Sequence, residues 1–174
     1  MPAGVVVDTS FLISLADPTR EHHSVARQYW KEFLTRGVPI YLSTIVVSEF
    51  CLKQEIPPDI LRACVVLPFN WVDAMQVARL GVPKSESPGQ SGARDRVKDD
   101  IKIIAQAAIV DAALVITDDE ATFHKRAKDF AKQGAVQFRS VLLADGFDEG
   151  NFSPSGQRSL AFGEEGEEID DVLE

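Results

Sequence analysis

Five acidic residues lie far apart in this chain, Asp8, Glu49, Asp100 and the adjacent Asp118 and Asp119, each at or near the end of an apolar run. Taken singly, each has an ordinary reading. An aspartate after a strand is commonly a helix cap, which suits Asp8, Asp118 and Asp119. Glu49 sits in the apolar stretch IVVSEFCL; an ionised glutamate is rarely buried without a partner, so it points either to solvent or to a cation. Asp100 opens the apolar region of a helix, where a dipole-stabilised surface acid is usual. The joint pattern carries more. Three or four carboxylates within about 4–6 Å raise one another's pKa. A hard divalent cation with oxygen ligands, Mg2+ or Mn2+, removes that conflict. Such an ion polarises a phosphoryl oxygen, activates a bound water and stabilises the leaving oxygen, which is the chemistry of phosphodiester hydrolysis.

The elements between the acids explain how they meet. Residues 5–7, 40–42, 114–116 and 136–138 read as short buried strands. Helices are expected from Phe11 after the cap-type Asp8-Thr9-Ser10, over 21–36, after Ser43-Thr44 so as to carry Glu49, briefly after Pro57-Pro58, from Asn70 to about Leu80, over 95–111, and from Asp119 to about Lys132. Helix 21–36 has Val25, Tyr29, Trp30, Phe33 and Leu34 as its apolar stripe. Asn70 with Asp73 spells an N-cap with an acidic third position. The Gly-, Ser- and Pro-rich stretch 81–94 reads as a mobile loop. Alternating strands and helices predict an α/β sandwich with a mainly parallel sheet. Ligands in such sheets bind beyond the carboxyl ends of the strands, where Asp8, Asp118 and Asp119 would lie.

Composition narrows the function classes. The chain has 174 residues and 45% hydrophobic content, enough for one domain with a real core. Its net charge of −9 is concentrated in residues 145–174, which hold ten acids against Arg158. Residues 1–144 are neutral, so a polyanionic substrate is compatible with the globular part. The expected organisation is a catalytic domain over 1–144 and an acidic, disordered C-terminal tail over 145–174. No apolar stretch reaches the roughly 18–20 residues of a membrane span. The start lacks the basic segment of a signal peptide. Cys51 and Cys64 fall in predicted helices and read as buried thiols of a reducing cytoplasm. There is no P-loop. Ser10 stands where an aspartyl-phosphate enzyme would carry its second acid, and His22, His23 and His124 read as surface or packing residues.

VVVDTSFLISL, SEF, KDDIKIIAQA and VITDDEATF, in this order and spacing, resemble the four motifs of PIN-domain proteins over roughly residues 4–138. The resemblance implies a three-layer α/β/α sandwich and a Mg2+- or Mn2+-dependent ribonuclease. It places the acids at Asp8, Glu49 and Asp100, with Asp99 a neighbour. The fourth is Asp119, with Asp118 the close alternative or a second ligand. Many relatives of this size are VapC-type toxins, held inactive by a small antitoxin and often homodimeric. The stretch 81–94 and the acidic tail depart from the usual toxin pattern.

RNA would need basic residues near such a site. Arg94, Arg96, Lys98 and Lys102 lead into and along the Asp100 helix, and Lys125 and Arg126 follow Asp119; these are the candidate phosphate contacts, with a solvated helix face as the ordinary alternative. Thr9, Ser10 and Thr117 are candidate supporting hydroxyls. The leading expectation is an endoribonuclease in which Asp8, Glu49, Asp100 and Asp119 hold the metal. The alternative is a PIN-fold RNA-binding or regulatory module that does not cleave.

Overall fold

The computed structural model describes residues 4–81 and 91–152. Five parallel strands form one sheet: β1 (Val5–Val7), β2 (Ile40–Ser43), β3 (Cys64–Leu67), β4 (Leu114–Thr117) and β5 (Arg139–Leu142), in the order β3-β2-β1-β4-β5. Seven α-helices lie between and around them among the described residues: α1 (Thr9–Ala16), α2 (His23–Thr35), α3 (Thr44–Cys51), α4 (Pro58–Ala63), α5 (Trp71–Leu80), α6 (Ser91–Ile109) and α7 (Lys125–Lys132). Every residue of β1 and β4 is buried. Successive strand side chains point to opposite faces, so burial of all of them requires helices on both sides. The result is the three-layer α/β/α sandwich.

The register brings the chemistry-bearing ends level. Val7 pairs with Leu42 and with Ile116, so Asp8, Ser43 and Thr117 all leave the sheet at the same height. The central strand is admitted by Gly4: a Cβ there would stand 2.2 Å from the Tyr41 ring and 2.9 Å from the Pro39 carbonyl oxygen. Local signals set the helix starts. Asp8 accepts from the Phe11 amide at 2.8 Å to cap α1. Ser43 caps α3 through the Ile45 amide at 3.0 Å. Asn70 and Asp73 form a reciprocal capping box on α5. Just past the end of α6, Asp111 takes φ 51°, the left-handed turn that glycine usually supplies.

Several expectations change. Residues 64–67 form an edge strand that the sequence pattern does not reveal, and the last strand lies at 139–142 instead of 136–138. Helix α6 begins at Ser91, inside the stretch read as a loop; residues 82–90 lie outside the described residues. Leu34 is exposed and Ala26 takes its place in the buried stripe of α2. Cys51, the last residue of α3, is exposed. Cys64 is half-buried in β3, and burial pushes its thiol up to about 12. Residues 145–152, assigned by sequence to the tail, pack onto the domain. Phe147 and Phe152 stand 4.9 and 6.1 Å from the Tyr29 ring, and the Tyr29 hydroxyl accepts from the Asp148 amide and the Asn151 side chain at 3.0 Å each. Two aromatic rings outweigh the segment's charge. The rest of the assigned tail, 153–174, lies outside the described residues. Among the described residues no helix is long and apolar enough to cross a membrane.

Candidate active site

The site is built around the end of β1. Asp8 is 5% exposed, and its carboxylate is wrapped by three donors. Oδ1 accepts from the Phe11 amide at 2.8 Å, Oδ2 from the Thr117 hydroxyl at 2.8 Å, and the Ser10 hydroxyl lies 2.9 Å from both oxygens. Each hydroxyl has one proton to give, so with both spent on Asp8 the 3.0 Å approach of Ser10 Oγ to Thr117 Oγ1 is proximity alone. Their lone pairs are used in turn: Ser10 Oγ accepts from the Asp118 amide at 2.7 Å and Thr117 Oγ1 from the Asp119 amide at 2.9 Å. Two hydroxyls thus lock the end of β1 to the chain leaving β4. Despite three hydrogen bonds, burial pushes Asp8 up to about 7; desolvation of the charged form exceeds what the donors return.

Asp100 lies on α6 and is coupled electrostatically to the other acids. Burial is again the largest cause that pushes it up to about 7; the Arg126 guanidinium opposes, while Asp119 and Glu49 add like-charge repulsion. Asp8 in turn feels Asp100. All four candidate ligands are therefore linked electrostatically through Asp100. Glu49 reaches back from α3 to accept from the Thr9 hydroxyl. Asp119 caps a π-helical turn, Glu120–His124, by accepting from the Thr122 amide at 3.0 Å and from the Thr122 hydroxyl. Among the described residues, no three Asp, Glu, His or Cys side chains stand close enough together to form a ready-made metal cage.

The adjacent acids Asp118 and Asp119 diverge. Asp118 turns toward the α1–α2 side, where it accepts from Ser14 Oγ at 2.5 Å and meets His22 Nδ1 at 2.6 Å. Ser14 and His22 are site neighbours that no sequence motif marks. Both bind the same carboxylate rather than each other, so they form no hydrolytic triad. His23 Nδ1 lies 2.9 Å from the Ser14 carbonyl oxygen, and His124 Nδ1 2.8 Å from Ser140 Oγ, with burial holding the His124 imidazole below its ordinary range.

The candidate phosphate contacts separate. Lys98 and Lys125 are exposed. Lys102 pairs with Asp99 at 2.7 Å and lies 5.9 Å from the centre of the Phe69 ring. The side chains of Arg94 and Arg96 lie outside the described ones. Arg126 is not a surface contact: it is 5% exposed and its guanidinium pairs with Asp100. A signal for this exists in the sequence. Phe123, Arg126, Ala127 and Phe130 are all buried at i, i+3, i+4, i+7 spacing, so Arg126 stands on the apolar face of its helix.

Comparison with known proteins gives the family. No curated protein sequence matches the chain. Among solved structures, the chain is similar to VapC20 of Mycobacterium tuberculosis, described as a sarcin-ricin loop cleaving toxin, with a TM-score of 0.51, 17% identity, and coverage of 78% of this chain and 99% of that one. It is also similar to VapBC2 of Rickettsia felis bound to a DNA fragment from its promoter, with a TM-score of 0.52, 12% identity, and coverage of 78% and 97%. At these identities the likeness shows the fold. The family model for the PIN domain matches residues 5–129. The chain belongs to the PIN domain family.

Proposed function

We propose that this chain is a metal-dependent endoribonuclease of the VapC toxin type. The observation that carries the reading is that the Thr117 hydroxyl ties Asp8 to the backbone of Asp119 at the carboxyl edge of the sheet, while Asp8, Glu49 and Asp119 are coupled electrostatically to Asp100 and two of the four acids are pushed up to about 7. Membership of the PIN domain family and the likeness to a toxin that cleaves RNA support it.

The donor set fits a hard cation. All four side chains are carboxylates, and among the described residues the groups that bond to them are hydroxyls, amides and the Arg126 guanidinium, with no thiol or imidazole. Asp8, Glu49, Asp100 and Asp119 would hold Mg2+ or Mn2+, which supplies Lewis-acid polarisation of the phosphoryl group and activation of water. Asp8, fixed by Ser10, Thr117 and the Phe11 amide, orients one wall of the site. Asp119 caps the following turn, while Asp118 ties that strand end to α1 and α2 through Ser14 and His22. No side-chain nucleophile is required. Lys98 and Lys125 contact backbone phosphates. The partners under this reading are RNA, a small antitoxin and a second copy of the chain, in the cytoplasm.

The test is cleavage of a structured RNA by the full chain with Mn2+, with EDTA, and by Asp8→Asn. Cleavage only in the first condition is expected; equal cleavage in all three would mark a contaminant. One observation favours the alternative of a non-cleaving RNA-binding module: no three ligands stand at caging distance among the described residues. RNA binding without carboxylate-dependent Mn2+ uptake would establish that alternative.

A further inference from the structure

The acids already have a cation among them. Arg126 is 5% exposed and its guanidinium pairs with Asp100, whose side chain is 16% exposed. It is held there by packing, since it rides the same helical face as Phe123, Ala127 and Phe130. Asp100 is also the acid to which Asp8, Glu49 and Asp119 are coupled electrostatically. A divalent ion held by Asp100 therefore arrives beside a fixed positive charge. At about 5 Å and an effective dielectric of about 20, a double and a single charge repel strongly enough to change an affinity by more than tenfold.

We propose that Arg126 is a resident counter-ion that competes with the divalent metal for Asp100 and so sets the metal affinity of the site. In the metal-free chain it holds Asp100 in place and offsets the crowded negative charge. On metal binding Asp100 is shared between the two cations, and the repulsion between them weakens the hold on the metal. This explains why the acids are linked electrostatically yet not gathered into a cage. Arg126 is a positioning residue: its burial keeps it from RNA. The inference rests on the metal-site reading above.

The test is calorimetric titration of MnCl2 into the full-length wild type, Arg126→Gln and Arg126→Lys, with thermal unfolding measured with and without Mn2+. Arg126→Gln should bind Mn2+ at least tenfold more tightly and gain more thermal stability from it. Arg126→Lys, which keeps the charge, should stay near the wild type. Equal or weaker binding by Arg126→Gln, with uptake by the wild type intact, overturns the inference and leaves the metal site standing. No uptake by either protein overturns both. Uptake by Arg126→Gln alone supports the inference in its strongest form. Should Arg126→Gln fail to fold, the wild type still decides: the Arg126 Nε–Hε resonance must move with Mg2+ at the midpoint of metal binding, and an unmoved resonance at saturation overturns the proposal.

Discussion

Asp8 and Asp100 are both pushed up to about 7, yet they are held in opposite ways. Asp8 ends a central strand and is fixed by an amide and two hydroxyls that are themselves tied to the chain leaving β4. Asp100 sits on a helix and, among the described residues, pairs with the charged Arg126. Neutral hydrogen bonds at fixed positions make a permanent anchor. A charge pair makes an exchangeable one, because any stronger cation competes for the same oxygens. The site therefore has a rigid wall at the sheet edge and an adjustable wall on α6.

The largest expected effect strikes the rigid wall. Asp8→Asn should lower Mn2+-dependent RNA cleavage by at least about a hundredfold, since it removes a charged ligand, measured as initial rates at saturating metal. The same substitution removes a buried charge from the metal-free protein at pH 8 and keeps an oxygen for the Phe11 amide, though it takes the acceptor from the Thr117 hydroxyl, so stability there should hold or rise. A variant less stable than the wild type at pH 8 would show that the hydrogen bonds to Asp8 outweigh the cost of its buried charge.

The pH dependence follows with a definite sign. Below about pH 4, Asp8 is protonated in both folded and unfolded chains. Between about 4 and 7 the folded chain keeps a proton that the unfolded chain has lost. Stability of the wild type relative to Asp8→Asn should therefore fall as pH rises through that window, by on the order of a few kcal/mol, and level off above it. Chemical unfolding of both metal-free proteins from pH 4 to 8 measures the difference; a gap that does not change with pH would show that burial does not push Asp8 up. Mn2+ affinity should rise over the same window, with release of protons.

The hydroxyl lock is a smaller term. Thr117→Val removes the donor to Asp8 and the acceptor for the Asp119 amide. It should cost roughly 1–3 kcal/mol in denaturant unfolding and lower cleavage less than Asp8→Asn does. Glu49→Gln should weaken Mn2+ binding while leaving stability nearly unchanged, because Glu49 is half-buried and its Thr9 contact survives with an amide oxygen. The smallest effect lies outside the site. Asp111→Gly should raise stability by about 0.5–1 kcal/mol, since the residue stands at φ 51°; unchanged cleavage would confirm that the gain is local.

The contrast between the two walls also marks what is legible in the sequence. Asp8 is readable because a β-branched run followed by Asp-Thr-Ser admits few structures, and the Asn70–Asp73 box is readable for the same reason. Arg126 misleads because its neighbours Lys125 and Lys128 speak for a basic surface, while the apolar spacing through Phe123, Ala127 and Phe130 speaks for the interior. Burial decides for the spacing. Strand β3 escapes notice because a four-residue edge strand directly after a short helix has too few residues to show a period of two, and Val65 and Val66 are both exposed. The last strand begins three residues later than its apolar run suggests, because Val136 and Phe138 bury their side chains before the backbone begins to pair at Arg139. Charge alone puts the end of the domain at 144, whereas Phe147 and Phe152 carry the chain back onto Tyr29. The divergence of Asp118 from Asp119 has no local signal, since it depends on Ser14 and His22, which arrive from 104 and 96 residues away in sequence.

The central claim is that the acids around Asp100 form a single hard-cation site. Crystals of the full chain soaked in MnCl2 and measured at the manganese edge test it most directly. The account predicts one or two anomalous peaks at the carboxyl edge of the sheet, within coordination distance of Asp8 and Asp100 and with Glu49 or Asp119 completing the set. Peaks only elsewhere, or none at saturating Mn2+ with Asp100 still paired to Arg126, would contradict it.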